Sequence, residues 1–122
     1  MGQAGNTGFR RILNAAFFSF AGIKTAWQNE AAFRQECLLC VVLIPAGVWL
    51  GQNAVERALL IGSCLIVLIV ELLNTAVEFV VDRVGTDHHR LSGQAKDLGS
   101  AAVFMSLVLV VVIWVLIGWS HF

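Results

Sequence analysis

Apolar and polar residues alternate along this chain in blocks that predict four helices and no strands. Phe9, Ile12, Leu13, Ala16, Phe17, Phe20, Ile23 and Trp27 recur at the i, i+3, i+4, i+7 rhythm of one helix face, with Arg10, Arg11, Asn14 and Lys24 off that stripe. This predicts an amphipathic helix over about 8–27 lying in a membrane interface, started by Asn6 or Thr7. Cys37–Leu50 is an apolar run too short to cross a bilayer. Extended back to Ala31 it becomes a first span, over about 31–50, with Arg34, Gln35 and Glu36 near one membrane edge and a kink at Pro45. A second span is expected over about 56–82 and a third over about 95–119. Leu98–Trp119 has no charge and at about 1.5 Å per residue is about 33 Å long, a full crossing. GTDHHRLSGQ (85–94) reads as a loop, and Ala95, Gly99, Ala102 and Ser106 as a small-residue stripe for close helix packing.

Composition agrees with a single membrane domain. Hydrophobic residues make 58% of the 122-residue chain and charged residues 13%, and the mean hydropathy is +0.81. A net charge of zero offers no basic field for nucleic acid. The polar start, MGQAGNTGFRR, does not have the form of a cleavable signal. Cys37, Cys40 and Cys64 sit in apolar stretches and read as small buried residues, since the C-x-x-C spacing comes with no strand-turn-helix context and no second pair. Trp27, Trp49, Trp114 and Trp119 read as an interface belt.

The placement of Lys and Arg sets an expected orientation. Arg10, Arg11, Lys24 and Arg34 precede the first span, and Arg83, Arg90 and Lys96 follow the second. The connection between the first two spans has only Arg57. The N-terminus is therefore expected in the cytoplasm and the C-terminus outside.

One feature breaks the apolar pattern. In VELLNTAVEFVVDR (70–83), Glu71, Asn74, Glu78 and Asp82 fall within an arc of about 80° at about 100° per residue. Glu71 lies about 17 Å of helix deeper than Asp82. A carboxylate near the bilayer centre costs about 2.5–3.5 kcal/mol by insertion scales, so a stripe of them implies cationic partners. Arg11, Arg34 and Lys96 are available, and a divalent ion would serve better. Mg²⁺ takes one or two carboxylates together with phosphate oxygens and water. Glu30 enters from the same side of the membrane. An acidic site beside a basic cytoplasmic loop suits a nucleotide–Mg²⁺ complex, although neither a Walker-type loop nor a kinase-type glycine loop is present. Without further information, a proton-coupled exporter using a membrane Glu stays open.

NEAAFRQE (29–36), VELLNTAVEFVVDR (70–83) and HRLSGQAKDLGSAAV (89–103), with their arrangement on an interface helix and three spans, resemble the prokaryotic integral-membrane diacylglycerol kinases across nearly the whole chain. The resemblance implies a homotrimer that uses MgATP to convert diacylglycerol to phosphatidic acid, at cytoplasmic sites shared between neighbouring subunits. A polyprenol such as undecaprenol is the alternative lipid. It implies that Glu71 is the catalytic base and that Glu30 and Glu78 hold the metal. Nucleotide contacts would come from Arg11, Phe18, Glu30, Glu78, Asp87, His88, His89, Lys96 and Asp97, with Phe18 able to stack but lacking a hydroxyl. The lipid would meet Arg11, Lys24, Trp27, Ala32, Arg34, Glu36, Glu71, Asn74 and Ser100, with Trp49, Arg57 and Trp114 along its path. The pair His88–His89 and then Arg90 occupy positions that vary in such kinases, so the carboxylates carry the match better than the adenine side. Asp82 has no assigned role beyond ending its helix at the membrane surface.

Overall fold

The computed structural model describes residues 7–85 and 88–122, and these form four helices with no strand among the described residues. They are α1 (Gly8–Asn29), α2 (Ala31–Leu50), α3 (Ala54–Val84) and α4 (Arg90–Ser120). The last three are long and apolar enough to cross a membrane. At about 1.5 Å per residue, α3 and α4 each reach about 46 Å, well beyond a hydrocarbon core of about 30 Å, so each has room for a polar end outside it.

The boundaries have local causes. A single extended residue, Glu30, separates α1 from α2. Its N–H donates to the Ala26 carbonyl at 2.8 Å, and its carbonyl accepts from the Arg34 N–H at 3.2 Å. Asn53 caps α3 by accepting the Glu56 N–H at 2.9 Å, so the helix starts at 54 rather than about 56. The larger difference is at α4. The His89 ring accepts the Leu91 N–H at 3.1 Å, and the helix starts at Arg90 rather than about 95. Half of the expected loop is therefore helical, and Lys96 and Asp97 sit about two turns inside α4. Asp97 cannot cap that helix. Of the expected α1 caps, Asn6 lies outside the described residues, while Thr7 occupies the cap position without a side-chain hydrogen bond. Helix α2 continues through Pro45.

Helix α3 is central, packing against α2, α4 and the end of α1. Its buried residues are Leu60, Ser63, Cys64, Val67, Glu71 and Thr75, at helical spacing; the Ser63 hydroxyl donates to the Leu60 carbonyl at 2.9 Å, and the one ionisable carboxyl among them, Glu71, comes late along the seam. Opposite them, α2 buries Phe33, Cys40 and Gly47. Close approach is concentrated at two glycines. A Cβ on Gly47 would stand 3.2 Å from the Leu60 Cβ. Gly99 of α4 lies directly against the Asn74 side chain, where a Cβ would collide with Oδ1. Within the small-residue stripe of α4, Ser106 is buried and Gly99 makes this contact, whereas Ala102 is exposed. Trp114 departs from the expected belt: it is half-buried, and its indole N–H donates to the Leu60 carbonyl at 3.3 Å. Trp27, Trp49 and Trp119 are exposed.

All three cysteines are free, with Cys40 and Cys64 buried and Cys37 half-buried, as the apolar context predicts. Along α1 only Ala26 is buried, and Phe9, Ile12, Phe17 and Phe20 are open to the surroundings.

Candidate active site

The short connections make α2 and α3 antiparallel, and likewise α3 and α4. This places side chains of equal depth opposite one another. The carboxyl of Glu36 on α2 meets that of Glu71 on α3. Glu30, at the head of α2, meets Glu78 one level nearer the end of the seam. Glu71 is only 4% exposed, while Glu30, Glu36 and Glu78 are partly open. Two carboxyls in contact away from water need a proton or a cation between them. The cation supplied by the chain is Lys96 of α4, whose Nζ lies 2.8 Å from Asp82 Oδ1 and also faces Glu78. Asp82 is thus the residue that holds Lys96 beside the carboxylates.

The expected stripe on α3 is therefore real, and two levels of carboxyl pairs complete it from α2. The pairing of Glu36 with Glu71 went unrecognised in the sequence, where Glu36 reads as a headgroup contact. Thr75 was missed altogether, although it lies one turn from Glu71 on the same face. Its Oγ1 and the Asn74 Oδ1 are buried without a hydrogen-bond partner among the described residues.

Two cavities flank the carboxylates. One, of about 430 Å³, lies between α1 and α3 and is mainly apolar, with Ile23, Ala26, Leu72, Ala76 and Phe79 on its walls and Thr75 beside them. The other, of about 250 Å³, lies between the end of α3 and the start of α4. Asp82, His88, His89, Ser92 and Lys96 line it, so it is the more polar of the two.

Other residues singled out in the sequence sit at varying distances from this centre. Arg34 turns back to α1, donating from Nη1 to the Trp27 carbonyl at 2.6 Å, which joins Arg34 and Trp27 at the α1–α2 corner. Arg11, Phe18, Lys24, Ala32, Asp97 and Ser100 are exposed. Phe18 packs edge-on against Phe17, with ring centroids 5.9 Å apart. Trp49, Arg57 and Trp114 belong to the opposite end of the bundle. There the Arg57 Nε donates to the Val48 carbonyl at 3.0 Å, about 21 Å along α3 from Glu71. Asp87 lies outside the described residues. Among the described residues, no three His, Cys, Asp or Glu side chains form a ready metal cage. A two-carboxylate set such as Glu30 and Glu78 still fits Mg²⁺, which completes its shell with phosphate oxygens and water.

Residues 17–118 match the prokaryotic diacylglycerol kinase family. The chain belongs to that family. It is 50% identical over 116 residues to a diacylglycerol kinase of Escherichia coli (strain K12), covering 95% of each chain. It is 54% identical over 110 residues to one from Pseudomonas aeruginosa, covering 90% of this chain and 89% of that one. A diacylglycerol kinase of Helicobacter pylori (strain 26695) is 40% identical over 107 residues, 88% of this chain and 84% of that one. The matches cover 84–95% of these relatives' own lengths.

Proposed function

We propose that this protein transfers the γ-phosphate of ATP to the free hydroxyl of diacylglycerol, giving phosphatidic acid and ADP at the cytoplasmic face of the membrane. The observation that carries this reading is the position of Glu71. It is a buried carboxylate at the end of an apolar seam, one turn from a groove that opens between α1 and α3. A two-chain lipid can enter such a groove sideways from the bilayer and bring its hydroxyl to Glu71. The Thr75 hydroxyl lies on the wall it would pass.

In the transfer, the lipid oxygen forms the new bond to γ-phosphorus as the bond to the bridging oxygen of ADP breaks. Glu71 takes the proton released by the hydroxyl. Phosphoryl transfer asks mainly for positioning and charge stabilisation, and three helices supply these. Glu30 and Glu78 would hold a divalent cation, which when bound neutralises charge on the β- and γ-phosphates. Lys96 sits beside them for the same purpose, steered by Asp82. The polar cavity at His88 and His89 is a place for the nucleoside end, with Arg11, Phe18, Asp87 and Asp97 as further contacts. Arg34, Glu36, Asn74 and Ser100 would face the headgroup. Lys24, Trp27 and Ala32 would lie near the interface, with Trp49, Arg57 and Trp114 along the acyl path.

The test is direct. Purified protein in mixed micelles is given labelled ATP with Mg²⁺ and either diacylglycerol or undecaprenol. Labelled phosphatidic acid is the expected product. Product from undecaprenol alone would move the chain to polyprenol phosphorylation, and no lipid product from either would overturn the kinase reading.

A further inference from the structure

The seam between α2 and α3 also holds a pair of thiols that phosphoryl transfer does not use. Cys40 of α2 and Cys64 of α3 are 8% and 2% exposed and face each other across the seam. The Cys40 thiol reaches the Cys64 carbonyl at 3.8 Å, and the Cys64 thiol turns to Leu60 at 3.4 Å. Both cysteines line one small cavity of about 30 Å³, and Glu36 lines it too. The pair is in register with the carboxyls: Cys40 is one turn beyond Glu36, and Cys64 is two turns before Glu71.

We propose that Cys40 and Cys64 form a redox site whose disulfide ties α2 to α3 behind the Glu36–Glu71 pair and arrests the enzyme. The proposed oxidant is one that dissolves in the membrane and meets the thiols as α2 and α3 breathe apart. Charged cytoplasmic thiols and disulfides cannot enter, so the partner is a membrane-soluble quinone. Two S–H bonds break and one S–S bond forms. Two electrons and two protons pass to the quinone, which leaves as the hydroquinone. Glu36, on the wall of the same cavity, is placed to relay the Cys40 proton. A covalent tie fixes the separation of α2 and α3 just behind the Glu36–Glu71 pair, so the base can no longer shift against α2 as it takes the lipid's proton. Cys37, half-buried on α2, does not line that cavity.

The experiment uses the full-length protein reconstituted in lipid vesicles. A fully substituted benzoquinone serves as oxidant, because it has no open ring position for thiol addition. The protein is then unfolded in detergent and alkylated, and its mass gives the number of free thiols. We expect a fall from the three cysteines of the chain to one. Cys37→Ala should lose both of its remaining thiols, and Cys40→Ala or Cys64→Ala should lose none. Lipid kinase turnover should fall at least tenfold on oxidation and return with dithiothreitol. Unchanged thiol counts in the wild type, loss that persists without Cys40, or a disulfide between two copies would each overturn the site. A disulfide that leaves turnover unchanged would overturn its control of the enzyme. The effect on turnover rests on the kinase reading, but the thiol count does not, so the two can fail separately.

Discussion

At the scale of single residues, the structure divides the polar stripe of α3 by depth. Glu71 is deepest and closed off, and Asp82 is 61% exposed and paired with Lys96. Glu71→Gln keeps the shape of the side chain and removes the base. Turnover should fall by about 10²–10⁴-fold, with MgATP affinity largely retained by equilibrium titration. Loss of nucleotide binding instead would mark Glu71 as a ligand. Glu30→Gln and Glu78→Gln should each raise the Mg²⁺ concentration needed for half-maximal rate, because each removes one hard oxygen donor. An unchanged Mg²⁺ dependence would remove both from the metal. Thr75→Val is nearly isosteric and deletes only the unmatched hydroxyl. If that hydroxyl meets the lipid, the KM for diacylglycerol rises about fivefold, the equivalent of about 1 kcal/mol, with kcat little changed. The α3 stripe was legible because four polar residues at helical spacing stand out against Leu and Val. Thr75 was not, because a threonine is tolerated in an apolar helix and gives no contrast.

At the scale of elements, the pairing of carboxyls was within reach of the sequence. Glu30 at the cap of α2 and Glu36 within it are about 9 Å apart along the chain's course, and α3 carries Glu78 and Glu71 about 10.5 Å apart. One helix enters the membrane and the next leaves it, so the two sets fall at matching depths. What could not be read was azimuth: the turn at Gly51–Asn53 decides which face of α2 meets α3, and no periodicity in α2 is sharp enough to choose it. The start of α4 was misplaced for a related reason. Gly93 and Ser92 look like loop residues, yet the His89 cap and the packing of Lys96 against Asp82 hold them in helix. Caps also give a prediction separable from catalysis. Asn53→Ala removes the acceptor for the Glu56 N–H and should cost about 1 kcal/mol. Reversible unfolding in mixed micelles with added denaturing detergent should show that loss, while the KM for ATP stays fixed.

At the scale of the whole molecule, one copy is an incomplete answer to the membrane. Lipid can cover the exposed Leu, Val and Phe side chains of α2, α3 and α4 at no cost, since lipid tails are equally apolar. It cannot do so for the carboxylates. Glu30 and Glu78 are partly open along the α2–α3 seam, Ser100 of α4 is exposed, and Glu36 keeps a carboxyl oxygen, Oε2, with no hydrogen-bond partner among the described residues. A polar group facing hydrocarbon costs several kcal/mol unless water or protein meets it. The part of the seam near Glu30 can reach headgroup water, but the Glu36 level is deeper. Another copy of the chain laid over that opening would close it. The trimer implied by the family resemblance is therefore the arrangement we expect. Native mass measurement from gentle detergent should show three copies, with lipid kinase activity following the trimer on dilution. Glu71→Gln should assemble normally, because it leaves the surface between copies untouched. Full activity in a fraction containing only single copies would mean that the seam is completed within one chain.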